Sequence, residues 1–153
     1  WVCNFTIWMK ALLLQIPLAR VEPLLLAPRT IAGDPKQGVS RRPVLMQVGI
    51  GDASVPTLAA QLHARAMGLG HDQPAPRKVW GLPSFDPNQH DSMYVEVDMG
   101  VLEPAVEAVP PTGPNEVHEG IRTLTALRVQ IDAFLRPGGK PKHTCDGACD
   151  KGD

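Results

Sequence analysis

Net charge, aromatic side chains and serines are all scarce in this sequence, and each shortage narrows the choices. A formal net charge of −1, from 15 basic and 16 acidic residues, leaves no basic face to neutralise phosphates. That argues against nucleic acid as a partner. Charges of both signs are interspersed, so there is no charged tail or block. Aromatics make up only 5% of the 153 residues, although apolar content is ordinary for a globular protein and the length suffices for one domain with a real core. Uninterrupted membrane-length runs are missing too. The apolar opening from Trp1 to Leu18 is broken by Asn4, Lys10, Gln15 and Pro17, and it lacks the basic start and small-residue cleavage site of a signal peptide. It reads as a buried helix of a larger protein rather than a membrane anchor. There is no internal repeat and no low-complexity stretch, and no motif implies a cofactor.

Proline, by contrast, is abundant. The 16 prolines cluster in connections, so loops take up much of the chain. Residues 1–42 divide into the apolar opening, Val21 to Pro28, and a polar linker marked by Gly33, Asp34, Pro35, Gly38 and Ser40. They read as part of a larger domain. Residues 43–49 predict a strand, nearly continuous in apolar residues (Val44, Leu45, Met46, Val48) as in the inside of a parallel sheet. Residues 56–68 predict a helix, with Pro56 in its first turn and Leu58, Leu62, Ala66 and Leu69 at helical spacing. A long connection over 70–92 follows, in which Trp80, Leu82 and Phe85 read as loop packing, with a substrate pocket as the alternative. Tyr94 to Met99 predicts a second strand.

After a proline-rich loop from Pro104 to Pro114 comes a helix over about 119–135. Its predicted apolar face is Ile121, Leu124, Leu127, Ile131 and Phe134, and Arg136-Pro-Gly-Gly139 stops it. Strand, helix, strand, helix is the α/β order, with parallel strands and right-handed crossovers. Two strands make no stable sheet alone. The expected domain over 43–139 is therefore the C-terminal portion of a larger parallel sheet, followed by a tail over 140–153. The chain opens on Trp1 rather than Met, which reads as a fragment, a processed product or a partial gene.

In open α/β sheets the working residues sit just past the carboxyl ends of the strands. Asp52 lies just past the first predicted strand, in Gly49-Ile-Gly-Asp-Ala-Ser-Val-Pro56, and His118 follows the second. A carboxylate there can accept a hydrogen bond from an imidazole nitrogen, fix its tautomer and leave the other nitrogen as general base. Gly49 and Gly51 would let the backbone turn closely. The plain alternative for Asp52 is a helix cap, and for His118 a solvated loop histidine. Among the other histidines, His63 falls within a helix, His71 comes too early and His143 lies in the tail. His90 is the runner-up, just before the last strand.

At these residues the sequence resembles the α/β-hydrolase superfamily over roughly residues 43–136. It looks most like secreted or lipoprotein-type bacterial esterases and lipases. The similarity rests on G-x-x-D-x-x-V-P (Gly49, Asp52, Val55, Pro56), Asn115-Glu-Val-His118, Arg136-Pro-Gly-Gly139 and Cys145-Asp-Gly-Ala-Cys149. The resemblance implies Asp52 as triad acid, His118 as base, a small ester or lipid substrate, and a secreted or cell-envelope location. It also implies a serine on G-x-S-x-G ahead of the acid. The sequence departs from the pattern here. Ser40, Ser54, Ser84 and Ser92 are its only serines and none sits in that motif, so the expected nucleophile precedes Trp1 and the chain alone is expected to be inactive.

Two other classes compete. His143, Cys145, Cys149 and Asp150 could offer ligands to a metal, although the C-x3-C spacing is unusual for structural zinc and a disulfide or two free thiols fit it better. The proline-rich loops and apolar start would suit a non-catalytic interaction module. A cysteine nucleophile fits poorly, since Cys3 precedes any strand–turn–helix and the tail cysteines follow the histidine.

Overall fold

The computed structural model describes residues 32, 33, 38, 40–101 and 115–153. The apolar opening, most of the polar linker and the loop Pro104 to Pro114 lie outside the described residues. In chain order the elements are strand β1 (Leu45–Gly49), helix α1 (Thr57–Met67), strand β2 (Gly70–His71), strand β3 (Met93–Val97), helix α2 (Val117–Gly120), a 3-10 turn (Ile121–Thr123) and helix α3 (Thr125–Leu135). The strands form one open parallel sheet in the order β1-β3-β2. The fold is therefore of the α/β class. No helix among the described residues is long and apolar enough to cross a membrane.

Both predicted strands are present, within two residues at each end. The short β2 was not predicted and lies inside the expected 70–92 connection. Two residues are too few to show a period, and only pairing with Met93 and Tyr94 makes them a strand. Gly70 is required there, since a Cβ would press on Phe85 and His90. β3 thus becomes the central strand, and all five of its residues are buried.

The pleat sorts side chains onto two faces. Val44, Met46 and Val48 join Tyr94 beneath Ala60, Ala64 and Met67 of α1. Leu45, Met93, Val95 and Val97 pack on the other side against Leu124 and Leu127. The buried face of α1 is Thr57, Ala60, Ala64 and Met67, one position round from the predicted Leu58 stripe. Small alanines let the helix lie close to the sheet and push Leu58 to the flank, where it is 40% exposed. The last predicted helix is broken at Leu124, whose extended backbone separates the 3-10 turn from α3. Beyond that break Ile131 faces solvent and Gln130 is fully buried instead. Gln130 accepts a hydrogen bond from Gln47 at 2.7 Å and donates to the Lys142 carbonyl at 2.9 Å, tying β1, α3 and the tail together.

The tail folds back on the sheet. Asp98 N–H donates to the Cys149 carbonyl and Lys151 N–H to the Asp98 carbonyl, both at 3.0 Å. Cys145 and Cys149 form a disulfide, which resolves the alternative that their spacing left open, and Cys149 is buried against Val95 and Val97.

Candidate active site

Where β1 ends, Ile50 still donates to the Val97 carbonyl at 2.9 Å, and the chain then leaves the sheet. Gly51 makes the turn at φ 78°, a left-handed conformation that side chains disfavour. Thr57, at the start of α1, fastens it: its hydroxyl accepts from Gly51 N–H at 3.2 Å and donates to the Gly49 carbonyl at 3.3 Å. This turn delivers Asp52 to the carboxyl end of the sheet, where it is only 4% exposed. Its Oδ1 accepts from the backbone N–H groups of Ser54 at 2.7 Å and Val55 at 3.0 Å. These bonds close a turn of their own, and α1 begins after Pro56 with no side-chain cap. Asp52 is therefore not a cap for α1.

The other oxygen, Oδ2, lies 2.8 Å from His118 Nδ1. The two residues are 66 apart in sequence, and the pairing of β1 with β3 sets the turns that follow them side by side. Gly49 has a part in this. A Cβ at that position would collide with Val117, so its absence lets α2 seat Val117 on the strand end and turn His118 towards Asp52. His118 stands in the single turn of α2, ahead of the 3-10 turn and α3.

Asn115 is the residue whose part sequence reasoning missed. Its Nδ2 donates to the Gly51 carbonyl at 2.7 Å, and its Oδ1 receives the N–H groups of Val117 at 3.3 Å and Ala53 at 3.4 Å. One amide thus clips the acid-bearing turn to the histidine-bearing turn. The only signal in the sequence was an asparagine three residues before the histidine.

Burial works against a charge on Asp52, but the N–H groups of Val55 and Ser54 and the His118 imidazole outweigh it and hold the carboxyl below its ordinary value. An anionic Asp52 accepts from Nδ1–H, which leaves the Nε2 lone pair free to accept. Arg122 Nη2 donates to that atom at 3.0 Å, while Nη1 reaches Glu119 at 3.1 Å. The His118 side chain is 30% exposed. Asp52 and His118 therefore compose an acid–imidazole pair with a part-exposed ring and Arg122 occupying the second nitrogen.

The remaining candidates sit elsewhere. Ser92 is buried and engaged with Asp91 and the N–H of Val44. Ser40, Ser54 and Ser84 are exposed, and no serine is hydrogen-bonded to His118 among the described residues. His90, the runner-up, accepts the N–H of Asp86 at 3.2 Å and holds a local turn. His71 is buried beside Tyr94, and burial pulls it below its ordinary value against the pull of Glu96 and Asp72. A second acid–imidazole pair was not foreseen. Asp72 Oδ2 lies 2.8 Å from His143 Nδ1, and burial pushes this carboxyl up despite its partner. Its free nitrogen, His143 Nε2, is buried rather than open to solvent. Compared with family models, curated proteins and solved structures, the chain matches none.

Proposed function

We propose that this chain is the acid–base part of a serine-type α/β-hydrolase acting on carboxylic esters, with Asp52 as the triad acid and His118 as the base. One observation carries the reading: the 2.8 Å contact between Asp52 Oδ2 and His118 Nδ1, formed by turns at the carboxyl ends of adjacent parallel strands. In that role Asp52 orients the ring and stabilises the imidazolium, while Nε2 takes the proton of the attacking hydroxyl and returns it to the leaving alkoxide. Arg122, now on Nε2, would move aside for the nucleophile.

The nucleophile is a serine on a strand–turn–helix elbow outside these 153 residues, because none of Ser40, Ser54, Ser84 and Ser92 stands in such a motif. The needed partner is then the upstream part of the same protein, and the substrate a small ester or lipid. The tail disulfide supports export or a cell-envelope location, since such bonds persist in oxidising compartments.

The test is to read the DNA upstream of the codon for Trp1, express the longer protein and assay chromogenic short-chain esters. A G-x-S-x-G elbow, with turnover lost in both His118→Ala and Asp52→Asn, is the expected result. Turnover indifferent to His118→Ala would overturn the assignment. Turnover by the 153-residue chain itself, lost on His118→Ala, would overturn the missing nucleophile.

A further inference from the structure

The tail carries a second cluster of chemistry-bearing side chains that the proposed reaction does not use. A carboxylate oxygen of Asp72, an imidazole nitrogen of His143 and the Cys149 sulfur lie within 4.8 Å of one another, and so do Cys145, Cys149 and Asp153. The two groups share Cys149. Asp72 fixes the His143 ring through Nδ1 at 2.8 Å. Nε2 is buried and has no hydrogen-bond partner among the described residues. A histidine held at one nitrogen by a carboxylate, with the other nitrogen buried and unused, is the arrangement found behind metal-bound imidazoles. Asp153 already accepts the N–H groups of Asp146 and Asp150 at 2.8 Å, one on each oxygen. Each oxygen keeps a second lone pair.

In the disulfide state the sulfurs are bonded to each other and offer no thiolate. We propose that, with the disulfide reduced, this corner is a zinc site in which Cys145, Cys149, His143 and Asp153 are the ligands and Asp72 orients His143. A dithiol reductant supplies the two electrons. Its first thiolate attacks one cysteine sulfur, and its second resolves the mixed disulfide. The products are two protein thiols and the oxidised, disulfide form of the reductant. Zinc then binds both sulfurs as thiolates and releases two protons to solvent. Ligand atoms around a tetrahedral zinc stand roughly 3.3–3.8 Å apart, as follows from bonds of about 2.0–2.3 Å. The two groups meet at the Cys149 sulfur, so bringing His143 and Asp153 onto one ion requires the tail to rearrange once the S–S bond has opened. Asp153 takes the place that the sequence offered to Asp150, whose Oδ1 instead accepts the N–H of Gly152 at 2.6 Å. The tail would then be stapled to the sheet by zinc before oxidation and by the disulfide after it, whatever the chain catalyses.

The experiment uses the full chain, reduced with a dithiol under anaerobic conditions and desalted. It is titrated with Zn2+ against a chromophoric chelator, and with Co2+ to read thiolate-to-cobalt charge transfer. The expected result is one Zn2+ per reduced chain, none for the disulfide-bonded chain, and charge transfer with Co2+. His143→Ala and Asp72→Asn should each weaken binding by tenfold to a hundredfold, with circular dichroism confirming that the variants are folded. If either variant fails to fold, the imidazole signals of the unmodified chain decide, because His143 should shift on adding Zn2+ and His63 should not. No zinc on the reduced chain would overturn the proposal. So would equal affinity in the folded variants, or a His143 signal that zinc leaves in place.

Discussion

Replacing Asp52 with asparagine exchanges an oxygen for an NH2 group at the atom 2.8 Å from His118 Nδ1. The amide oxygen can still accept from Ser54 and Val55, so the turn survives. Two donors then face each other across the old hydrogen bond, and the ring resolves this by moving its proton to Nε2. That puts an N–H against Arg122, 3.0 Å away, and expels the guanidinium. A hydrogen bond to a charged group contributes about 1.5–3 kcal/mol. The 30% exposure of His118 argues for the lower end, so Asp52→Asn should destabilise by about 1.5–2 kcal/mol at pH 7. For a domain of this size that is a fall of roughly 3–8 °C in Tm.

The pH dependence has a definite sign. Because the folded carboxyl is held below its ordinary value of 3.8, its stabilisation is fully present well above that value. It disappears as pH falls through the folded value, so the gap between wild type and variant should close in acid. Thermal unfolding at several pH values, with 15N imidazole spectra to identify the tautomer, reads both effects. In the longer protein the same tautomer change should lower kcat by about 10⁴-fold. An unchanged Tm at pH 7, together with a proton still on Nδ1, would refute this account of the pair.

Asn115→Ala should cost about 1–3 kcal/mol, by denaturant unfolding, because it strands the Gly51 carbonyl and the N–H of Val117. Gly49→Ala should destabilise by about 1–3 kcal/mol, since the new methyl displaces Val117; the His118 imidazole signals should shift with it, and an unmoved spectrum would break the proposed link between that contact and the pair. Glu96 is buried on β3, where burial opposes its charge while Arg77, Gln61 and Tyr94 hold its carboxyl below its ordinary value. Its stabilisation is therefore present above 4.5 and lost as pH falls through its folded value, so Glu96→Gln should flatten the acid limb of a stability–pH curve measured by urea unfolding.

By itself the sequence determined the α/β order, both longer strands and the positions of Asp52 and His118, because these rest on local signals. Apolar runs mark buried strands, Gly51 marks a turn that needs a left-handed residue, and a strand end marks where side chains gather. Only the tertiary structure decided the rest. β2 exists because β3 offers an edge to two residues with no pattern of their own. The face of α1 was set by how closely Ala60 and Ala64 approach the sheet, and the break at Leu124 by the need to seat both α2 and α3 on one face. The part played by Asn115 and the meeting of Asp72 with His143 depend on residues far apart in sequence, 64 for Asn115 and Gly51 and 71 for the second pair. Contacts of that range carry no period and no motif. They come into being when parallel strands, which need long crossovers, bring distant turns to the same end of one sheet.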